Sequence, residues 1–128
     1  MKSKIQTIFL SLTLIATIAF TISSCAKKNA APVINIQEPL NNEMVTLPDS
    51  VHVEGTITDD ESLHEASIVI IKSTGDTAFQ DYPYVHDLKT YNFHYHFHPS
   101  TAGTYTLHVT AADHKELKTE KTLTIMVM

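Results

Sequence analysis

The fold is decided by the segment Tyr91-Asn92-Phe93-His94-Tyr95-His96-Phe97, in which aromatic and polar side chains alternate from end to end. Successive side chains of a β-strand point to opposite faces, so this pattern predicts a strand with one buried and one exposed face. The predicted buried face carries Tyr91, Phe93, Tyr95 and Phe97. The predicted exposed face carries Asn92, His94 and His96, and His98 continues it.

The same period of two extends outward from this segment in both directions. The other predicted strands are Val33–Ile36, Val51–Thr58, Ala66–Lys72, Tyr105–Ala111 and Leu117–Met128, the last burying Leu123, Ile125 and Val127. Asp81–Leu88 is interrupted by Pro83 and is predicted to be an edge strand or a loop. Six or seven short strands with turns at regular intervals predict an all-β sandwich.

A hydrophobic leader precedes the alternating body. Met1–Lys4 is basic, and Ile5–Ser24 contains no charged residue. The leader ends in Ile22-Ser23-Ser24-Cys25, which resembles the lipobox of bacterial lipoproteins, with small residues just before the cysteine. The resemblance implies that residues 1–24 are a cleaved lipoprotein signal peptide and that Cys25 carries palmitate-type acyl chains. The alternative is an uncleaved membrane-spanning helix in which the cysteine is incidental.

Residues 25–32 join the lipidated cysteine to the body and have the small and polar composition of a flexible tether. Several acyl chains on one residue exceed the two signals that stable anchoring requires. By the same resemblance, the non-acidic Ala26 implies sorting to the outer membrane. The sequence therefore predicts a lipid-anchored protein of the cell envelope whose folded domain spans residues 33–128.

The charge of the body excludes one class of partner. From Val33 onward there are five lysines and all fourteen acidic residues, which gives a net charge of −9. Nucleic-acid phosphates are bound by clustered cations, so an acidic body excludes a nucleic-acid partner. The acidic surface instead favours solvation or cation binding. With a single cysteine, the chain forms no intrachain disulfide.

Three short motifs resemble the bacterial immunoglobulin-like domains of exported proteins. They are Thr58-Asp59-Asp60, Ala102-Gly103-Thr104-Tyr105-Thr106-Leu107 and Thr110-Ala111-Ala112-Asp113. The resemblance implies an immunoglobulin-like sandwich with Tyr105 as its corner tyrosine. The chain also resembles small histidine-rich lipoproteins of unknown function from Bacteroidota-type bacteria. Two turns depart from the pattern: Ser62 and His114-Lys115-Glu116 stand where the group usually has glycine and Gly-Asn.

Eight histidines, all in the body, indicate a possible metal site. Neutral imidazole is a common ligand of Zn²⁺ and Cu²⁺, and His94 and His96 leave the same face of one strand. In an immunoglobulin-like fold, strand Val51–Thr58 lies antiparallel to this strand, so His52 is expected beside His96 or His98. The predicted metal ligands are His52, His94, His96 and His98. The alternative is an exposed strand face that merely tolerates histidine.

Four carboxylates in two loops form a second candidate site. Asp59, Asp60 and Glu61 follow one strand and Asp113 follows another, and the expected topology brings both loops to one end of the sandwich. Ca²⁺ takes six to eight oxygen ligands, and these four residues are the predicted start of such a shell. The alternative is that Asp59 and Asp113 hold turns through side-chain bonds to the backbone.

The sequence predicts a binding or accessory module, since no nucleophile elbow, phosphate loop or glycine-rich motif accompanies its serines, histidines and aspartates. A non-enzymatic lipid-anchored domain that contacts an envelope protein or a glycan is the first expectation. A metal-binding lipoprotein that uses the histidine face is the first alternative, with Zn²⁺ or Cu²⁺ as its only expected cofactor. A structural subunit of an envelope assembly is the second.

Overall fold

The computed structural model describes residues 27–128, which form eight β-strands. In chain order they are β1 (Val33–Glu38), β2 (Glu43–Val45), β3 (Val51–Thr58), β4 (Leu63–Lys72), β5 (Thr77–Asp81), β6 (Thr90–Phe97), β7 (Gly103–Asp113) and β8 (Lys118–Val127). No helix in this part of the chain is long and apolar enough to cross a membrane. The predicted signal peptide and Cys25 lie outside the described residues.

The strands form two sheets that enclose the core between them. One sheet has the order β1-β3-β6, and the other has the order β2-β8-β7-β4-β5. Neighbouring strands are antiparallel except for β2 and β8, which run parallel. Because the chain passes between the sheets from β3 to β4 and from β6 to β7, the topology is immunoglobulin-like. The predicted fold class is confirmed, with eight strands where the sequence indicated six or seven.

The core is built from the inward positions of the alternating strands. Its fully buried aliphatic side chains include Val51, Val53 and Ile57 of β3, Ile68 and Ile70 of β4, Leu107 and Val109 of β7, and Ile125 of β8. Burying one such side chain stabilises the fold by about 1.5–3 kcal/mol relative to leaving it exposed. The residues that the period of two predicts to be buried are therefore the residues that pack between the two sheets.

Strand β6 has the two faces that its sequence predicts. Phe93 and Phe97 are buried, whereas His94 and His96 are exposed. Tyr95 is only half-buried, because its hydroxyl donates a hydrogen bond to the Asp81 carboxylate (2.5 Å) near the rim of the core. A tyrosine that keeps a polar partner in this way stays at the edge of the apolar interior.

Tyr105 forms the corner that the immunoglobulin resemblance implies. Its ring is buried, and its hydroxyl donates a hydrogen bond to the Thr101 carbonyl oxygen four residues upstream (2.8 Å). This bond fastens the turn before β7 to the strand itself. It is the tyrosine-corner arrangement of immunoglobulin-like sandwiches.

Two strands differ from the sequence prediction. β2 contains only three residues, too few to show an alternating pattern, and it forms by pairing alongside β8. β5 lies at Thr77–Asp81, just before the weak segment Asp81–Leu88, and most of that segment is a loop. Pro83 lies in this loop, where its missing N–H breaks no ladder of hydrogen bonds.

The described part of the predicted tether contacts the sandwich. The Lys27 ammonium lies 3.1 Å from the Asp60 carboxylate, and the Asn29 amide donates a hydrogen bond to the Asp113 carboxylate (2.5 Å). The Thr119 hydroxyl donates to the Pro32 carbonyl oxygen (2.6 Å). These contacts bring the end of the segment against the loops that follow β3 and β7.

Candidate metal centre on the histidine face

The outer face of the three-stranded sheet carries three histidines from two neighbouring strands. β3 and β6 are antiparallel, and their register places His52 opposite His96 and Glu54 opposite His94. The prediction that His52 lies beside His96 is confirmed. A hairpin of β6 with β7, which would place His108 beside His94, does not occur in the described sheets, where β7 pairs with β4 and β8. We call His52, His94 and His96 the strand-face histidines.

The His96 ring contacts the rings of His52 and His94, but within residues 27–128 the nitrogens of all three strand-face histidines do not lie within 4.8 Å of one another. The ring centroids of His52 and His96 are 4.4 Å apart, those of His94 and His96 are 4.8 Å apart, and those of His52 and His94 are 6.4 Å apart. The Nε2 atoms of His94 and His96 approach to 2.9 Å. Two nitrogens on one tetrahedral Zn²⁺, each about 2.0–2.1 Å from the metal, lie about 3.3 Å apart. The 2.9 Å between the two Nε2 atoms is close to this spacing.

Two glutamates complete the polar surroundings of this face. The Nδ1 atom of His94 lies 2.6 Å from the Glu54 carboxylate, and Nδ1 of His52 lies 3.9 Å from the Glu38 carboxylate. A carboxylate accepts but cannot donate, so it holds the proton on Nδ1 of His94 and leaves the lone pair on Nε2. Carboxylates commonly orient metal-binding histidines in this way. The negative charge of both glutamates also favours a bound cation.

Two histidines stand apart from this face. His98 lies one residue beyond the end of β6, and the β3–β6 register ends at the pair Val51–Phe97. Consequently His98 has no opposing residue on β3, and its ring is not among those that contact one another in residues 27–128. His108 lies on β7 in the other sheet, with Nδ1 3.0 Å from the Glu120 carboxylate. The structure therefore groups three of the four predicted ligands and separates the fourth.

Of the four predicted calcium ligands, Asp59 and Asp113 hold turns, and Asp60 and Glu61 pair with lysines. Asp59 accepts a hydrogen bond from the Glu61 backbone N–H (2.9 Å), and Glu61 pairs with the Lys115 ammonium (2.7 Å). Asp113 accepts from the backbone N–H groups of Lys115 (2.8 Å) and Leu117 (2.9 Å). Among the described residues, no three of these carboxylates bring oxygens within 4.8 Å of one another. The contacts match the turn-holding alternative, and calcium binding stays a prediction.

Hydrogen bonds from neighbouring groups lower the pKa values of two aspartates in these loops, Asp113 and Asp60. Burial opposes ionisation of Asp113, but hydrogen bonds from Asn29 and from the Leu117 and Lys115 backbones outweigh it, so the pKa of Asp113 is lowered. The pKa of Asp60 is lowered chiefly by the hydrogen bond from Lys27. Both carboxylates are therefore charged at neutral pH, and each fastens the segment before β1 to the sandwich.

Sequence reasoning missed a second group of histidines. His64, His86 and His114 come from three distant segments of the chain, yet each offers a ring nitrogen within 4.8 Å of the others. No local motif joins them, and the alternation that singled out His94 and His96 has no counterpart here. The only signal in the sequence is that each stands beside an acidic residue: Glu65, Asp87 and Asp113.

Comparison with solved structures shows the fold of this chain alone. No family model matches the chain, and no curated protein does. A crystal structure of an engineered protein superposes with a TM-score of 0.51 at 15% identity, covering 76% of this chain and 20% of that one, so this chain spans about a fifth of it. The PKD domain of an M14-like peptidase from a Thermoplasmatales archaeon gives a TM-score of 0.47 at 17% identity, covering 78% of this chain and 98% of that domain.

Proposed function

We propose that this protein is a lipid-anchored accessory domain of the cell envelope that captures Zn²⁺ or Cu²⁺ on its strand-face histidines. The observation that carries the proposal is the convergence of His94 and His96 through their Nε2 atoms (2.9 Å), with the His52 ring packed against His96. Imidazole suits both metals.

The surroundings of these histidines support a binding role over a merely tolerated polar face. Polar side chains placed at random on a strand need not contact one another, whereas here Glu54 orients His94 and His94 contacts His96. Outer-shell carboxylates of this kind raise the basicity of the ligand and fix the ring. The acidic body adds a long-range attraction for cations.

The lipid anchor gives this capture a location. Acylation of Cys25 would hold the sandwich close to the membrane through its short tether, either in the periplasm or at the cell surface. A domain fixed at a surface keeps its bound metal there and does not diffuse away. Sorting to the outer membrane through the residue after the cysteine is part of the same proposal.

Calorimetric titration of the full chain in detergent, stripped of metal with a chelator, tests the metal proposal. We expect Zn²⁺ or Cu²⁺ binding that is lost from one site in the His94→Ala/His96→Ala double variant. His108→Ala is the matched control, because His108 also lies on an exposed strand face beside a glutamate but on the other sheet. Equal loss in both variants, or no loss in either, would refute the strand-face site.

A further inference from the structure

His64, His86 and His114 form a compact triangle of imidazole rings, which we call the three-histidine cluster. Their ring centroids are separated by 4.6 Å (His86 to His114), 4.8 Å (His64 to His114) and 5.4 Å (His64 to His86). With nitrogens about 2.0–2.1 Å from a tetrahedral Zn²⁺ and roughly 1.1 Å from nitrogen to ring centre, three bound imidazoles have centroids about 5 Å apart. The cluster already has the spacing of a three-imidazole site.

A β-bulge places the first of these rings. In the β4–β7 ladder Leu63 pairs with Asp113 and Glu65 pairs with Ala112, so His64 is the extra residue with no partner. A bulge of this kind bends the strand and re-aims one side chain. The pair Leu63–Asp113 also brings the end of β7, and with it His114, next to His64.

The loop between β5 and β6 is fixed against the same residue, Leu63. The Asp87 backbone N–H donates to the Leu63 carbonyl oxygen (2.9 Å), and the Leu63 N–H donates to the Leu88 carbonyl oxygen (2.7 Å). Val85 is buried, and Asp87 has a left-handed backbone (φ 66°) that aspartate tolerates better than most residues. His86 is therefore held between the buried side chain of Val85 and the hydrogen-bonded backbone of Asp87.

The turn after β7 fixes the third ring. The buried Asp113 carboxylate accepts hydrogen bonds from the Lys115 and Leu117 backbones on either side of this turn, and the Asp113 N–H donates to the Leu117 carbonyl oxygen (3.1 Å). His114 is therefore the first residue of a closed turn. All three histidines are set by backbone contacts, which lowers the ordering cost of binding a ligand.

One carboxylate orients two of the three rings. Asp87 accepts from Nδ1 of His86 (2.9 Å) and from Nε2 of His114 (3.0 Å). Because a carboxylate only accepts, these two nitrogens are the donors, and Asp87 fixes the orientation of both rings. This is the carboxylate–histidine pairing that accompanies metal ligands in proteins, here shared by two histidines.

We propose that the three-histidine cluster is a second transition-metal site, which binds Zn²⁺ through His64, His86 and His114 with Asp87 as the orienting carboxylate. Three imidazoles leave the fourth tetrahedral position open. A groove of about 420 Å³ is lined by His64 and His86 and by the exposed Tyr82 and Tyr84.

The cluster is separate from the strand-face histidines. His52 lies near the start of β3, whereas the cluster lies beside the loop that follows the end of β3 at Thr58. Six residues of strand between those points span about 20 Å at 3.2–3.4 Å per residue. The two sites also use different sheets, so each can be removed without touching a ligand of the other.

Titration of the metal-stripped full chain in detergent with Zn²⁺, and with Co²⁺ as a spectroscopic probe, tests the proposal. A four-coordinate Co²⁺ site absorbs much more strongly in the visible than a six-coordinate one. We expect His94→Ala/His96→Ala to keep this absorption and one Zn²⁺ equivalent. We expect His64→Ala/His114→Ala to lose one Zn²⁺ equivalent together with that part of the absorption. Asp87→Asn should weaken Zn²⁺ binding about 10–100-fold.

Each other result of this experiment counts against the second site. An unchanged titration in His64→Ala/His114→Ala, or the loss of all binding in His94→Ala/His96→Ala, would overturn it. Circular dichroism of every variant checks the fold. If His64→Ala/His114→Ala fails to fold, Asp87→Asn decides, because the polar contacts of its exposed side chain within residues 27–128 are with these two rings. Loss of binding in His94→Ala/His96→Ala alone would leave the strand-face proposal standing.

Discussion

Truncating Phe93 should destabilise the sandwich far more than truncating its neighbour His94. Phe93 is 3% exposed, and fully burying a phenylalanine side chain stabilises a fold by about 1.5–3 kcal/mol, to which truncation adds the cost of the cavity. Large-to-small changes at such positions cost about 3–5 kcal/mol. His94 is exposed, and its contact with Glu54 is a surface ion pair, so His94→Ala should cost about 1 kcal/mol or less.

A second substitution makes this prediction sharper. Gly55 lies opposite Phe93 on the inner side of β3, and a β-carbon there would overlap the Phe93 ring and the Asn35 carbonyl oxygen. Gly55→Ala alone should therefore cost about 1–3 kcal/mol through overpacking. In the Phe93→Ala background the ring is gone, so part of this penalty disappears. The double variant should be more stable than the sum of the single effects by at least about 0.5 kcal/mol.

Urea unfolding of wild type, the three single variants and the double variant, followed by circular dichroism, measures these free energies. The coupling of Gly55 and Phe93 is meaningful only if the slope of the unfolding free energy with urea is the same in wild type, both single variants and the double variant. Additive effects of Gly55→Ala and Phe93→Ala would mean that the ring does not cover the glycine. Equal costs for Phe93→Ala and His94→Ala would mean that the faces of β6 are assigned the wrong way round.

Three further outcomes follow from individual side chains. Tyr105→Phe removes the hydrogen bond to the Thr101 carbonyl oxygen and should lower the free energy of unfolding by about 0.5–1.5 kcal/mol in the same urea assay. An unchanged free energy of unfolding would show that this hydrogen bond does not stabilise the fold. The folded state lowers the pKa of Asp113, so its contribution is complete above the ordinary value of 3.8 and is lost as pH falls through the lowered value. The stability gap between wild type and Asp113→Asn should thus be constant at neutral pH and close in acid; a gap that persists in acid would contradict this. Cys25→Ser should leave an unprocessed precursor without a palmitate label, and a labelled, cleaved variant would remove the lipid-anchor proposal.

The sequence predicted the parts of the fold that depend on local periodicity. β3 and β6 alternate strictly, so their buried faces and the pairing of His52 with His96 follow from the pattern and the topology. The alternation predicted one histidine too many on this face, because alternation alone does not show where the pairing of two strands ends. β6 stops at Phe97, and His98 passes beyond the last partner on β3.

The three-histidine cluster could not be predicted because it depends on features that leave no periodic signal. His64 is re-aimed by a bulge, which is visible only once β4 is paired with β7. His86 lies in a loop whose position is set by backbone bonds to Leu63, and backbone bonds are not specific to a residue type. The turn that carries His114 departs from the pattern of the immunoglobulin-like domains that the sequence resembles, and it holds one of the three rings.

The strand-face histidines and the three-histidine cluster should differ in how strongly a bound metal stabilises the folded protein, because their ligands are spaced differently along the chain. A ligand that binds only the folded state stabilises it by about 2.7 kcal/mol at a hundred times its Kd, and any binding to the unfolded chain reduces the effect. His94 and His96 are two residues apart and remain neighbours when the chain unfolds, whereas His64, His86 and His114 separate. Zn²⁺ should therefore raise the urea midpoint strongly in His94→Ala/His96→Ala and only weakly in His64→Ala/His114→Ala. The reverse order would mean that the strand-face histidines are the more preorganised site.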